Sequence, residues 1–469
     1  MFTVQDVPSL LSRVPDDVKG LCARLRDKGK RAWIVGGCVR DLIRGIEVND
    51  WDVATDARPE EVIRFFRHVI PTGIEHGTVT VLIRKVPYEV TTLRGETTYS
   101  DGRRPDSVHF VDDITADLAR RDFTVNAIAI DPFDGSLIDP FDGIGDLERG
   151  IIRAVGDPIQ RFSEDGLRPL RAARFTASLE FEIEPKTLAA ISQTLDTYRK
   201  VSPERIREEW LKAMRARRPS RAFEIMRQTS MLSITVPELM ESVGCEQNRY
   251  HAYDVWGHAM ACLDACVGDP ILRLAALFHD IGKPRTRAFS EKTKDWTFYN
   301  HERVGAQMVG PILTRLRFSN EERERIAHLV RHHLICYSDE WSDAAVRRWI
   351  RRIGKERLED LYALNRADVL GKGKDPEPDL EALEKLKGRV AAVLAAGDAL
   401  TVRDLKVNGH DLMRELGMKP GRDLGAVLEY LLEQVLEDPS RNERETLLTL
   451  ARAWLALPPE ERPKRKQEE

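Results

Sequence analysis

Residues 31–52 read RAWIVGGCVRDLIRGIEVNDWD. The apolar run Trp33-Ile34-Val35 predicts a short buried strand, Gly36 and Gly37 break it, and a helix is expected from about Cys38, carrying Arg40 and Asp41. Glycines at a strand-to-helix turn let backbone N–H groups approach an anion closely, and the helix start adds positive potential. On this pattern Gly36, Gly37 and Arg40 form either a phosphate cradle or a plain turn. The next seven residues, NDWDVAT (49–55), alternate as a strand does, which places Asp50 and Asp52 on one face and Trp51 on the other. Two adjacent carboxylates either finish a polar strand or hold a cation; behind a Gly-Gly turn they are expected to hold Mg²⁺ that bridges to substrate phosphates. Glu89, flanked by Tyr88 and Val90 in another β-rich run, would complete the carboxylate set.

Around this core, β-rich pieces (AWIVGG, WDVAT, GTVTVLI, YEVTTL) alternate with helical ones from Arg31 to about Asp146, and from Ile159 onward the periodicity is almost wholly helical. The expected class is α+β: an N-terminal α/β head with a mixed sheet, then an elongated all-α region. Pro and Gly punctuation at 131–146, 217–222 and 371–379 suggests a head over 1–147, a helical neck over 148–235, a third domain over 236–372 and a C-terminal helical region over 373–469. With 469 residues, 42% hydrophobic and 32% charged, the chain is neither a peptide nor a disulfide miniprotein. The net charge of -4 requires any polyanion to be met by a local basic surface. Six scattered cysteines without a CxxC pair suit a reducing compartment, and no signal peptide or membrane span is evident, so a cytoplasmic location is expected. Nothing in the sequence sets an oligomeric state.

Downstream, RRPDSVHFVDDITADLARRDFTVNAIAI (103–130), DPFDGIGDL (139–147), RFSEDGLRPLRAARF (161–175) and SPERIREEW (202–210) follow the carboxylates in order. Together with them, these stretches resemble the class II CCA-adding enzymes and bacterial poly(A) polymerases. The resemblance implies template-independent addition of C and A to the tRNA 3′ end from CTP and ATP, with release of pyrophosphate. In it Asp50 and Asp52 bind Mg²⁺, and Glu89 completes the catalytic set and helps activate the 3′-OH. Arg121 and Asn126 contact nucleotide sugar and phosphate, while Asp122 either joins them or caps the local turn. Residues 94–105, RGETTYSDGRRP, correspond to a flexible loop needed to pass from C to A addition.

The segment 162–175 reads as a helix with Ser163, Glu164 and Asp165 in its first turn and with Pro169 as a point of bend or restart, and Asp165 and Arg168 at i,i+3 share a face. Aspartate only accepts and arginine only donates. Cytosine and adenine offer an amino donor beside a ring-nitrogen acceptor, whereas guanine and uracil present the reverse, so a fixed pair of this kind selects C and A. The alternative is an ordinary surface ion pair; the family motif assigns the selecting role. Arg171 and Arg174 continue the face toward triphosphate or RNA backbone. Basic residues Arg205, Arg207, Lys212, Arg215, Arg217, Arg218 and Arg221 suit the phosphates of an A-form stem, with Arg205, Arg215 and Arg218 the RNA-binding candidates, although intervening Glu204, Glu208 and Glu209 also fit a solvated helix. Arg205 and Glu209 at i,i+4 read as a helix-stabilising pair. FFRHVIPTGIEHGTVTVLI stands where poly(A) polymerases carry a basic stretch, which favours tRNA. Poly(A) synthesis and CC-only or A-only addition are the alternatives within the family.

A third cluster contains DVWGHAM, LAALFHDIGKP, FYNHERVGA, HLVRHHL and NRADVLG within 254–371. His258, His279-Asp280 and Asp368 resemble, in order, the HD-domain metal phosphohydrolases, with His301 and His332 as candidates for a second metal. Imidazole and carboxylate together suit Mn, Fe, Co or Ni. The resemblance implies phosphatase or 2′,3′-cyclic phosphodiesterase chemistry, and an RNA-binding protein whose main activity lies here is the alternative of another class. Buried hydrogen-bonded histidines would give the same letters. Cys262 and Cys266 are expected in the core. The C-terminal turn GMKPGRDLG (417–425) brings Lys419 and Arg422 to a loop suited to an RNA backbone or simply to joining helices.

Overall fold

The computed structural model describes residues 7–96 and 108–463, so most of the loop expected at 94–105 lies outside the described residues. The chain forms two compact units: Met1–Glu241 with Pro311–Ser319, and Ser242–Gly310 with Asn320–Glu469.

In the first unit, seven strands make one sheet: β1 (Ala32–Val35), β2 (Asp52–Thr55), β3 (Val69–Gly73), β4 (Thr78–Ile83), β5 (Val86–Thr92), β6 (Ala129–Ile130) and β7 (Leu137–Ile138), in the order β3-β4-β5-β2-β1-β6-β7. Only β2 and β5 run parallel; the remaining neighbours are antiparallel. Alternation sorts the side chains onto two apolar layers. Ile34, Val53, Val79 and Val90 pack with Val39 and Leu42 of helix α1 (Gly37–Ile43), while Trp33, Val35 and Ala54 pack against Leu93 and Leu118 on the other face.

Among the neck helices, α2 (Pro158–Glu164), α3 (Leu167–Ser178) and α4 (Pro203–Ala213) carry the motif residues. The helix expected over 162–175 breaks between α2 and α3, ahead of Pro169, the expected point of bend or restart. Asp165 is extended (φ −139°, ψ 110°), and a Cβ on Gly166 would lie 2.3 Å from the Thr197 carbonyl oxygen. Glycine therefore permits a close backbone approach at the break, and the Asp165 carboxylate accepts from Leu167 N–H at 2.9 Å at the start of α3.

The second unit is built on α5 (Val255–Ala265), α6 (Pro270–Phe278), the start of α7 (His301–Arg315), α8 (Asn320–His332) and α9 (Leu358–Gly371), followed by the C-terminal helices Glu377–Ala395, Gly409–Leu416, Arg422–Glu437 and Arg444–Ala456. One small hairpin, Ala288–Ser290 with Asp295–Thr297, interrupts the helical pattern. A Cβ on Gly371 would sit 2.8 Å from Cys262 N, so the glycine lets α9 lie directly on α5. Cys262 and Cys266 are buried. No helix among the described residues is long and apolar enough to cross a membrane.

Candidate functional site

The parallel pairing of β2 with β5 sets Asp52 beside Glu89 in register. Asp50 lies two residues before the first residue of the strand and is exposed, as is Glu89, while Trp51 is buried beneath them. Burial, with Glu89 and then Asp50 adding like charge, pushes the Asp52 carboxyl up to about 6 against the pull of Arg121. A set of carboxylates whose charges oppose one another in this way is an oxygen-donor set suited to a hard divalent ion.

Gly36 is required where it stands. Its φ of +83° is left-handed, and a Cβ would lie 2.6 Å from Arg121 Nη1 and 3.7 Å from Asp52 Oδ2. Its own N–H goes to Ile128 O at 3.1 Å, so the donors left for an anion are those of the following residues at the start of α1. Arg121 pairs with the buried Asp117 at 3.5 Å. Arg40 grips Asp41 with two bonds of 2.8 Å and donates to Asn126 Oδ1 at 2.7 Å. The Asn126 amide donates to Asp122 Oδ1 at 3.1 Å, and Asp122 Oδ2 accepts from Arg171 Nε at 2.7 Å. Burial raises the Asp122 carboxyl, but Arg171, Asn126 and Arg168 outweigh it and hold it near about 2. Asp122 is thus the junction between head and neck hydrogen bonds.

Beyond that junction the neck pairs differ from the sequence expectation. Asp165 and Arg168 do not share a helical face. Asp165 is held by Arg205 in a two-pronged pair (3.1 and 2.8 Å), and Arg168 is fixed by Glu164 (2.6 Å), Arg161 O (2.8 Å) and Arg120 O (3.0 Å). Arg205, expected on the RNA side and paired with Glu209, instead commits its guanidinium to Asp165. Glu209 is buried and takes Arg174 at 2.5 Å and Lys212 at 3.1 Å, with Arg171 at 4.0 Å. Arg215 and Arg218 are exposed. Sequence reasoning missed the positioning partners Asp117, Glu164 and Arg161; the abundance of acid and base in the motifs was the available signal, and the contacts of Glu164 and Arg161 with Arg168 cross the break at Gly166.

In the second unit, His258, His279, Asp280, His301, His333 and Asp368 are all buried and converge. α5 supplies His258, the end of α6 supplies His279 and Asp280, and α9 supplies Asp368. His258 Nε2 lies 3.1 Å from Asp368 Oδ1 and 3.3 Å from Asp280 Oδ2; His279 Nε2 lies 3.2 Å from Asp280 Oδ2. Burial opposes charge on His258, yet hydrogen bonding to and the charges of Asp280 and Asp368 raise its imidazolium to about 9. The expected His332 is a correction: its ring lies 4.6 Å from that of His328 in a tilted contact, and the adjacent His333, just past α8, reaches the cluster. Lys283 and His251 were also missed. Lys283 Nζ sits 2.6 Å from Asp280 Oδ2 and 3.4 Å from His251 Nε2. His251 ring stacks edge-on 5.0 Å from that of His258.

Three family models match the chain: the poly A polymerase head domain over residues 32–153, the probable RNA and SrmB-binding site of polymerase A over 180–242, and a putative tRNA nucleotidyltransferase domain 2 over 287–451. The CCA-adding enzyme of Limosilactobacillus fermentum is 34% identical over 93% of this chain and 96% of its own length. That of Lactobacillus helveticus is 50% identical over 46% of this chain and 53% of its own. Among solved structures, the Bacillus stearothermophilus CCA-adding enzyme in complex with CTP superposes with a TM-score of 0.69 at 28% identity, covering 93% of this chain and 96% of that one. The Thermotoga maritima enzyme complexed with tRNA, at 20% identity and a TM-score of 0.59, shares the fold. With the carboxylate strands, the glycine turn and the neck motifs all in place, and a relative of this identity along nearly the whole length, the chain belongs to the CCA-adding enzyme family.

Proposed function

We propose that this protein extends the 3′ end of tRNA with C and A, taken from CTP and ATP, without a nucleic-acid template and with loss of pyrophosphate, in the cytoplasm. The observation that carries this reading is the in-register pair Asp52 and Glu89, with Asp50 beside them, over the glycine turn beneath Arg121. Mg²⁺ bound by Asp50 and Asp52 would supply charge neutralisation for the triphosphate and the pentavalent phosphorus. The chain's own groups do the rest. N–H groups at the start of α1 and the Arg121 guanidinium take phosphate oxygens, Asn126 and the Arg40 network fix the sugar, and Glu89 accepts the proton of the attacking 3′-OH. Asp165 accepts from the exocyclic amino group of C or A while Arg168 donates to the neighbouring ring nitrogen. Glu164 and Arg205 hold that pair in place, which is what a protein acting as its own template requires. A base with the reverse donor order leaves both partners unmatched, worth up to about 10⁴-fold when a site is built around such bonds. Arg215, Arg218 and the C-terminal region 373–469 would take tRNA phosphates.

The experiment uses tRNA lacking its terminal CCA and each labelled nucleotide in turn. Asp52→Asn should abolish C and A incorporation alike, and Asp165→Ala should chiefly admit G and U. Equal losses in both variants, with base choice intact in the residual activity, would reject this division of roles.

A second reading concerns the buried cluster of the other unit, favoured by five histidines and two aspartates converging there. Held by His258, His279, Asp280 and Asp368, a divalent Mn, Fe, Co or Ni would supply a nucleophilic water for phosphomonoester or 2′,3′-cyclic phosphodiester hydrolysis. Lys283 and His251 stand beside it as phosphate-orienting groups. His279→Ala should leave nucleotide addition unchanged and remove metal-stimulated hydrolysis of p-nitrophenyl phosphate; undiminished hydrolysis would refute the assignment.

A further inference from the structure

We propose that the sheet face beyond Glu89 is a subsite for the 3′-terminal ribose of the RNA being extended, where the paired hydroxyls of Thr72 and Thr80 take its 2′-OH. The proposal rests on reading the head as the nucleotide-adding site and goes beyond it in saying where the RNA end lies and which of its groups is recognised.

Strand register carries the argument. Asp52 on β2 stands opposite Glu89 on β5, Glu89 opposite Thr80 on β4, and Thr80 opposite Ile70 on β3. Residues paired across neighbouring strands share a face, so these four form one row across the sheet. At about 4.8 Å per strand, Thr80 lies about 5 Å and Ile70 about 10 Å beyond Glu89, on the side away from Asp52. Val79, Val81 and Val90 point to the other face, into the apolar layer that holds Val39 and Leu42 of α1.

In-line displacement gives the row a direction. Gly36 and Arg121 mark the triphosphate side at the end of β1, and a Cβ on Gly36 would lie 3.7 Å from Asp52 Oδ2. As the 3′-oxygen bonds to the α-phosphorus and the bond to pyrophosphate breaks, the entering and leaving oxygens stand on opposite sides of phosphorus. With pyrophosphate departing toward β1, the 3′-OH comes in from β4 and β3. Its ribose then rests over the outer half of the row, with the 2′-OH on the adjacent carbon.

The side chains there match that group. Thr72 Oγ1 and Thr80 Oγ1 lie 2.9 Å apart. Each hydroxyl has one proton and two lone pairs, so whichever donates within the pair, one O–H and spare lone pairs remain. Thr80 is buried beside Glu89 and Thr72 is exposed above it. The pair therefore offers donor and acceptor together, the complement of a 2′-OH, which is the group that tells RNA from DNA. A second pair, Thr78 and Thr91 at 3.1 Å, continues the hydroxyl surface along the strands. Ile70, 45% exposed at the outer end of the row, gives the apolar edge of the sugar a surface to pack on. Cross-strand threonine pairs steady any sheet, but only in this row does one adjoin the carboxylate that meets the 3′-OH.

The test uses the full chain with CTP, Mg²⁺ and tRNA lacking its terminal CCA, the last nucleotide carrying either a ribose or a 2′-deoxyribose. The parent should favour the ribose-ended tRNA by about tenfold in kcat/KM, the worth of one well-made hydrogen bond. Thr72→Val and Thr80→Val keep the side-chain shape and remove the hydroxyl. Each should lower that preference, and the two together should abolish it through loss on the ribose-ended tRNA, while Thr80→Ser keeps it. Being a ratio, the preference does not depend on how much of a variant folds. A preference held at the parent's value in the doubly substituted chain, whether activity falls on both tRNAs or KM for CTP rises, would overturn the proposal, as would a parent indifferent to the 2′-OH. A parent that adds C to neither tRNA would overturn the nucleotide-adding reading itself.

Discussion

The head carboxylates and the helical cluster are both acidic, yet they are built for opposite kinds of metal chemistry. At the head, Asp50 and Glu89 are exposed, only Asp52 is substantially withdrawn from water, and every donor is an oxygen. In the second unit all six donors are buried, four are imidazoles, and three of those have their outer nitrogen tied to backbone. Open oxygen donors suit an ion that arrives with the triphosphate and leaves with pyrophosphate. Buried nitrogen donors with fixed outer bonds suit an ion that stays. Burial and donor type, more than charge, separate a shared substrate ion from a resident one.

The sharpest way to break this contrast is Asp52→Asn. It should lower incorporation of both C and A by about 10³-fold or more while leaving the metal content of the second unit unchanged. Next comes Asp122→Asn, which removes a buried charge from the Arg171 pair and should destabilise the first unit by about 2–4 kcal/mol at neutral pH, read by thermal melting. Because the folded-state value of Asp122 is depressed to about 2, its stabilisation is present above the unfolded value near 4 and is lost as pH falls toward about 2, so the two melting curves should converge in acid.

Arg205→Ala should cost about tenfold in the preference for CTP over UTP, seen as a change in relative kcat/KM, with Arg205→Lys recovering part of it. An RNA-contact role alone would instead raise KM for tRNA and leave base preference untouched. The smallest effect is a pH dependence at Asp52. Its folded value is raised to about 6, so without Mg²⁺ the native state binds the extra proton between about 4 and about 6 and loses stability as pH rises through that window. Asp52→Asn should therefore melt higher than the parent above about pH 6, by about 1–2 kcal/mol, and match it below about pH 4.

Much of this was legible in the residues. Period-two alternation placed Asp52 and Trp51 on opposite faces, and Gly36 marked the turn because only glycine takes its backbone angle without a clash. What failed were statements about partners. The i,i+3 reading of Asp165 and Arg168 needed both on one helical stretch, and nothing local revealed that Gly166 abuts Thr197 from another part of the chain. Arg205 and Glu209, four apart on α4, looked like a pair; tertiary contacts sent one to Asp165 and the other to Arg174. The choice between His332 and His333 turned on where α8 ends, a boundary that periodicity fixes only to within a residue or two.

The most direct measurement is to sequence the 3′ ends formed on tRNA lacking its terminal trinucleotide, with all four nucleotides and Mg²⁺ present together. The account predicts a single product ending in CCA and then arrest. Runs of A, a mixture of bases, or ends left unchanged would contradict it.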